Sequence, residues 1–196
     1  LAVGGERNLM SVELLTIGTE LLLGQIVDTN ASWMAQRLAE AGIDVFYKST
    51  VGDNWGRIEA AIRLAMSRAD VVIMTGGLGP TEDDLTREVL AAVTDRPLRL
   101  DAAVLRHIEE RFAHRRVTMA ENNRKQAMVP EGAEVLHNPR GTAPGLLMRS
   151  EGRIFACMPG VPSEMKPMLL EQVIPGIRDS LGIRSRIVSR VLKTCG

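Results

Sequence analysis

Short apolar runs alternate with amphipathic stretches through the first third of the chain, and no other feature restricts the fold as much. Val12 to Ile17 is an apolar run that stops at Gly18, as expected of a buried strand breaking into a loop. Ala31 to Ala41 carries Trp33, Met34, Leu38 and Ala41 at helical spacing and closes on Gly42, a residue suited to the left-handed position after a helix. Ile43 to Val51 reads as a second strand, Trp55 to Arg68 as a helix with Ile58, Ile62 and Ala65/Met66 on one face, and Ala69 to Met74 as a third strand. This order predicts a mainly parallel sheet with helices on both faces, a three-layer α/β/α fold. Such sheets bind ligands at the carboxyl ends of their strands, so the loops that follow strands are the ones to inspect.

Further along, a short helix to Val93 and a second from Asp101 to His114, striped by Val104, Leu105, Ile108 and Phe112, are expected to cover one end of the sheet. Between Pro130 and Gly145 six prolines and glycines punctuate two short extended pieces. Arg153 to Met158 is expected as a strand, Pro162 to about Leu181 as a helix and Ile187 to Leu192 as a last strand. Residues 1–9 are expected to be an added leader, residues 10–192 one domain, and residues 193–196 the start of a linker to a further, C-terminal domain.

Composition narrows the function. The 24 Lys and Arg balance the 24 Asp and Glu, so no basic field favours nucleic acid, and one Tyr, two Trp and three Phe leave few platforms for stacking bases. Two cysteines far apart, Cys157 and Cys195, fit neither a disulfide scaffold nor a zinc site. With no apolar run long enough to span a bilayer and no signal segment, a cytoplasmic protein without a membrane partner is expected. His107, His114 and His137 lack metal-ligand spacing and are given no role.

Thr75-Gly76-Gly77-Leu78-Gly79-Pro80-Thr81-Glu82-Asp83-Asp84 directly follows the third strand. Gly76, Gly77 and Gly79 let backbone amides approach an anion, and a helix opening after Pro80 adds free N–H groups, so the segment reads as a phosphate cradle with Thr81 as a polar contact. Glu82, Asp83 and Asp84 would repel that phosphate unless a divalent cation (Mg, Mn or Co) stood between, with Asp83 and Asp84 as ligands. Thr81 and Asp84 also have the spacing of a capping box, and capping is expected alongside function.

The loop Gly18 to Asn30 should lie next to the cradle. Glu20 and Asp28 suit either a metal or a ligand hydroxyl, Thr19 is a candidate contact, and Thr29 and Asn30 suit the cap of the following helix as well as ligand. Met158-Pro159-Gly160-Val161-Pro162-Ser163-Glu164 repeats the strand, turn, helix design, offering Gly160, Ser163 and Glu164. Lys125 and Arg140 are candidate phosphate cations, though a solvated charged face is the commoner explanation for either one alone.

Taken together, Ile17 to Asn30, Thr75 to Glu88, Asn122 to Gly145 and Met158 to Met168 resemble the N-terminal domain of the CinA (competence/damage-inducible) family, over Val12 to Gly196. Gly76-Gly77-Leu78-Gly79 and Asp84-Leu85-Thr86 are similar to the glycine loop and Asp-Val-Thr of the MogA/MoaB group, and Pro159-Gly160-Val161-Pro162 to the Pro-Gly-Asn-Pro turn of the MoeA/gephyrin group. The resemblance implies a molybdenum-cofactor-binding-type fold, a homo-oligomer, and a nucleotide or pterin phosphate ligand. For CinA-type domains it implies metal-dependent hydrolysis of ADP-ribose to AMP and ribose 5-phosphate, for which the acidic segment beside the glycines offers Asp83 and Asp84, and the loop after the first strand Glu20, as candidate catalytic residues. Non-catalytic molybdopterin binding, and a scaffold that assembles an oligomer for a C-terminal deamidase domain, are the alternatives. Asp83 stands where MogA-like loops commonly carry Arg, which favours a metal over direct pterin-phosphate binding.

Overall fold

The computed structural model describes residues 10–181. Its order is β1 (Val12–Ile17), α1 (Thr19–Leu22), α2 (Thr29–Glu40), β2 (Val45–Val51), α3 (Trp55–Arg68), β3 (Val71–Thr75), α4 (Thr86–Val93), β4 (Leu98–Leu100), α5 (Ala102–His114), a 3-10 segment (Glu121–Ala127), β5 (Met128–Pro130), β6 (Glu134–Leu136), β7 (Gly145–Ser150), β8 (Arg153–Met158), α6 (Pro162–Met168), a π-type turn (Leu169–Val173) and α7 (Ile174–Leu181). The main sheet runs β2-β1-β3-β8-β7-β6. Its first four strands are mutually parallel, and β7 and β6 join antiparallel at one edge. The expected leader, the strand Ile187 to Leu192 and the linker lie outside the described residues.

Strand alternation sorts the core into two layers. Val12, Leu14, Val71 and Ile73 pack against Met34 and Leu38 of α2 and against Met165, Met168 and Ile177 of the α6–α7 rod. Leu15, Ile17, Val72 and Met74 face the other way, onto Ile58 and Ile62 of α3 and Val89, Leu90 and Val93 of α4. The fold is therefore three-layer α/β/α with a mostly parallel sheet, each buried Leu or Ile contributing about 1.5–3 kcal/mol. A smaller cluster of Val104, Ile108 and Ala127 holds α5 against the 3-10 segment beyond the sheet. Glu13 is a carboxylate within the apolar run of β1. It is buried because Arg68 grips it with two hydrogen bonds of 2.8 and 2.7 Å and the Ser49 hydroxyl donates a third of 2.6 Å. No helix among the described residues is long and apolar enough to cross a membrane.

The helix predicted to open after Pro80 begins instead at Thr86. The Asp84 carboxylate turns back to accept from the Thr81 N–H (2.9 Å) and from the Thr81 hydroxyl, closing a separate turn ahead of the helix. Thr86 then ties the helix start to the glycine loop, its N–H donating to Gly77 O (3.1 Å) and its hydroxyl to Gly76 O (2.8 Å).

Candidate functional site

Thr16, Thr75 and Met158 lie in register across β1, β3 and β8, so the loops after these strands leave the sheet at one edge. They are laced together there. Gly76 N–H donates to Met158 O (3.1 Å), the Thr75 hydroxyl to Pro159 O (3.0 Å) and Asn30 Nδ2 to Gly160 O (2.7 Å). Gly76 has φ 101°, and a Cβ on it would sit 2.1 Å from Ile17 O, so only glycine fits. Its amide is spent on Met158, whereas among the described residues the N–H groups of Gly77, Leu78 and Gly79 donate to no acceptor. The amides left without an acceptor therefore belong to the loop itself rather than to a helix start.

These loops wall a cleft of about 510 Å³, within the size range of small-ligand sites. Of the residues singled out from the sequence, Glu20, Gly76, Gly77, Gly79, Thr81, Asp83, Asp84, Gly160 and Glu164 line it; Thr19, Asp28, Asn30, Lys125, Arg140 and Ser163 do not. Asp53, which the sequence reading passed over, adds a fifth carboxylate to Glu20, Asp83, Asp84 and Glu164. It follows β2 in Val51-Gly52-Asp53-Asn54, and its loop is clasped to the β1 loop: Thr19 N–H donates to Asp53 Oδ2 (2.7 Å) and Asp53 N–H to the Thr19 hydroxyl (3.1 Å). No Lys, Arg or His lines the cleft, and among the described residues none of the five carboxylates is ion-paired.

Asp83 is held below the usual carboxylate range, first by the Thr81 hydroxyl and then by its own backbone N–H. Glu164 is aimed by Asn138, a buried amide whose Nδ2 donates to Glu164 Oε2 and Ala143 O, both 2.7 Å, while its Oδ1 accepts from the Arg140 and Gly141 N–H groups. Among the described residues no three His, Cys, Asp or Glu side chains stand close enough to form a metal cage. A cation here would draw the rest of its shell from ligand oxygens and water, which is how Mg²⁺ is ordinarily held.

This chain matches the family described as "Probable molybdopterin binding domain" over residues 13–179. The structure of CinA from Thermoplasma acidophilum superposes with a TM-score of 0.78 at 34% identity, covering 84% of this chain and 97% of that one. The chain belongs to the CinA family. Proteins carrying the name competence-damage inducible protein are 51% identical in Caldicellulosiruptor bescii over 187 residues and 46% in Bacillus subtilis over 184 residues. The alignments take 95% and 94% of this chain but 45% and 44% of those proteins, so the chain spans less than half the length of the curated relatives it matches. The molybdopterin biosynthesis enzyme MoaB of Thermus thermophilus shares the fold, with a TM-score of 0.61 over 89% of this chain and 95% of that one, at 20% identity.

The CinA loops rest on a buried polar support invisible in the sequence. Arg87 is fully buried and donates to Leu78 O (3.2 Å) and Lys125 O (3.1 Å), joining the glycine loop to the 3-10 segment. Burial pulls its guanidinium down from the ordinary value, opposed by the charges of Glu88 and Asp84, and an Arg stays ionised through such a shift. Lys125, expected to touch phosphate, has another task here: its Nζ donates to Thr81 O (2.8 Å) and Asp84 O (2.5 Å) and stands 3.6 Å from Glu88. It holds the acidic turn from behind. Arg140 likewise donates to Ser163 O (3.0 Å), at the α6 start, and Asp28 accepts from Ala31 N–H (2.9 Å) as the α2 cap.

Proposed function

We propose that this CinA-family domain is a divalent-cation-dependent pyrophosphatase acting on ADP-ribose-like substrates to give AMP and ribose 5-phosphate. The observation that carries the reading is the cleft with five carboxylates, no lining cation and three unspent amides on the Gly77–Gly79 loop. Amides recruit a phosphoryl group, but unneutralised carboxylates repel it, and a divalent cation removes the conflict. Asp83 and Asp84 are the ligands of choice, and Glu164 lines the same cleft. The cation, when bound, would neutralise phosphoryl charge and acidify water.

The chain's own groups supply the rest. The Gly77, Leu78 and Gly79 amides hold the non-bridging oxygens in place through the rise in charge of the transition state. Glu20 lines the cleft as an exposed residue with no hydrogen bond or ion pair to its carboxylate among the described residues, and it takes the proton of the attacking water. The water oxygen bonds to one phosphorus, the bond from that phosphorus to the bridging oxygen breaks, and the bridging oxygen leaves on the other phosphate.

The test is AMP formation from ADP-ribose, followed by chromatography, with Mg²⁺, Mn²⁺ or Co²⁺ and with Asp84→Asn. The expected result is metal-dependent turnover that falls by about 10²-fold or more in the variant, in line with the loss of one transition-state contact. Tight pterin-phosphate binding without turnover by any metal would instead favour a molybdopterin-binding module, the reading suggested by the family's description.

A further inference from the structure

A second hollow of about 130 Å³ opens beside the main cleft, walled by Leu21, Ile26, Val27, Asp28, Asn30 and Pro162. It shares Ile17, Glu20 and Gly160 with that cleft, so one ligand can extend from one into the other. Two of its residues carry a buried oxygen that has no hydrogen-bond partner, Asp28 Oδ2 and Asn30 Oδ1. The other half of each group is occupied: Asp28 Oδ1 caps α2 through Ala31 N–H, and Asn30 Nδ2 donates to Gly160 O. The Gly160 carbonyl fixes the Asn30 amide, because a flipped amide would set two acceptors face to face. Both unpartnered atoms are therefore acceptors, and buried acceptors are rarely left unpaired.

The ligand group that suits this hollow brings two adjacent donors on a compact carbon frame. Phosphate is acceptor-only when ionised and is repelled by Asp28. The aliphatic walls offer a hydrated cation little. A pentose has the right size, presents its ring to Leu21, Ile26 and Val27, and points two neighbouring hydroxyls at the two oxygens, one as a charge-assisted hydrogen bond.

We propose that this hollow is a ribose subsite, in which Asp28 and Asn30 accept hydrogen bonds from vicinal hydroxyls of a sugar whose phosphate lies in the main cleft. The inference rests on the phosphate reading of that cleft and names the residues that would hold one sugar of its ligand. It assigns Asp28 to sugar selection rather than to metal.

The experiment is calorimetry with Mg²⁺ and three probes: ADP, 2′-deoxy-ADP and inorganic pyrophosphate. Asp28→Ser serves as the variant, since serine keeps the α2 cap but has no second oxygen. The wild-type chain is expected to bind ADP about tenfold tighter than 2′-deoxy-ADP. The variant is expected to lose that preference while binding pyrophosphate as before. Equal wild-type affinity for ADP and 2′-deoxy-ADP, or equal weakening of ADP and pyrophosphate in the variant, overturns the subsite. Failure of the wild-type chain to bind pyrophosphate overturns the phosphate reading itself, and the subsite with it.

Discussion

Gly76→Ala is expected to destabilise the fold by about 2–5 kcal/mol, because a positive-φ penalty of ~1–2 kcal/mol adds to overpacking of ~1–3 kcal/mol. The new Cβ would lie 2.1 Å from Ile17 O, a backbone atom that moves only if the end of β1 moves with it. Gly76 also donates to Met158 O, so the disturbance reaches all three loops around the cleft. Gly132→Ala is the internal control: φ is 83° there too, but nothing lies within 4 Å of the added carbon, and only the conformational cost of about 1–2 kcal/mol remains. Urea unfolding of both variants checks the argument, and equal losses would show that contact with Ile17 contributes nothing.

Arg87→Met is expected to cost about 3 kcal/mol, from two buried carbonyls each left short of a donor at ~1–3 kcal/mol. Leu78 O and Lys125 O lose their guanidinium, although Gln126 Nε2 still approaches Leu78 O at 3.5 Å. Methionine fills much of the vacated volume, which separates the polar loss from a cavity effect. Arg87→Lys restores the charge but not the two-pronged reach and is expected to recover about half, or ~1.5 kcal/mol. A methionine variant within ~0.5 kcal/mol of the wild type would mean that the glycine loop stands without this support.

Most of the layered fold was legible in the sequence because its elements are long and periodic. β1, α3 and β8 fall where hydrophobic spacing puts them, whereas Asp101, read as the first residue of its helix, is the cap of α5, accepting from Ala103 and Val104 N–H. β4, β5 and β6 have three residues each, too few to establish a period. The long helix from Pro162 hides a wide turn at Leu169–Val173 that leaves the apolar pattern unbroken.

The site divides along the same line. Glycine spacing and the rule that ligands gather after parallel strands picked out the glycine loop and four of the five carboxylates that line the cleft. Applied to β2, that rule also points to Asp53. Nothing in Thr86-Arg87-Glu88 reveals that the arginine is buried, since burial of a charge depends on carbonyls 9 and 38 residues away along the chain. Lys125 and Arg140 read as free cations for the same reason: their carbonyl partners are brought to them only by the fold.

The cleft with five carboxylates makes cation dependence the central claim, and calorimetric titration with a methylene-bridged analogue of ADP-ribose, whose phosphorus–carbon bridge resists hydrolysis, in Mg²⁺ and again in EDTA tests it most directly. The account predicts binding in Mg²⁺ that weakens at least ~100-fold, about 2.7 kcal/mol, once the cation is removed. Equal affinity in both conditions would contradict it, because the glycine-loop amides would then hold phosphate against Glu20, Asp53, Asp83, Asp84 and Glu164 unaided.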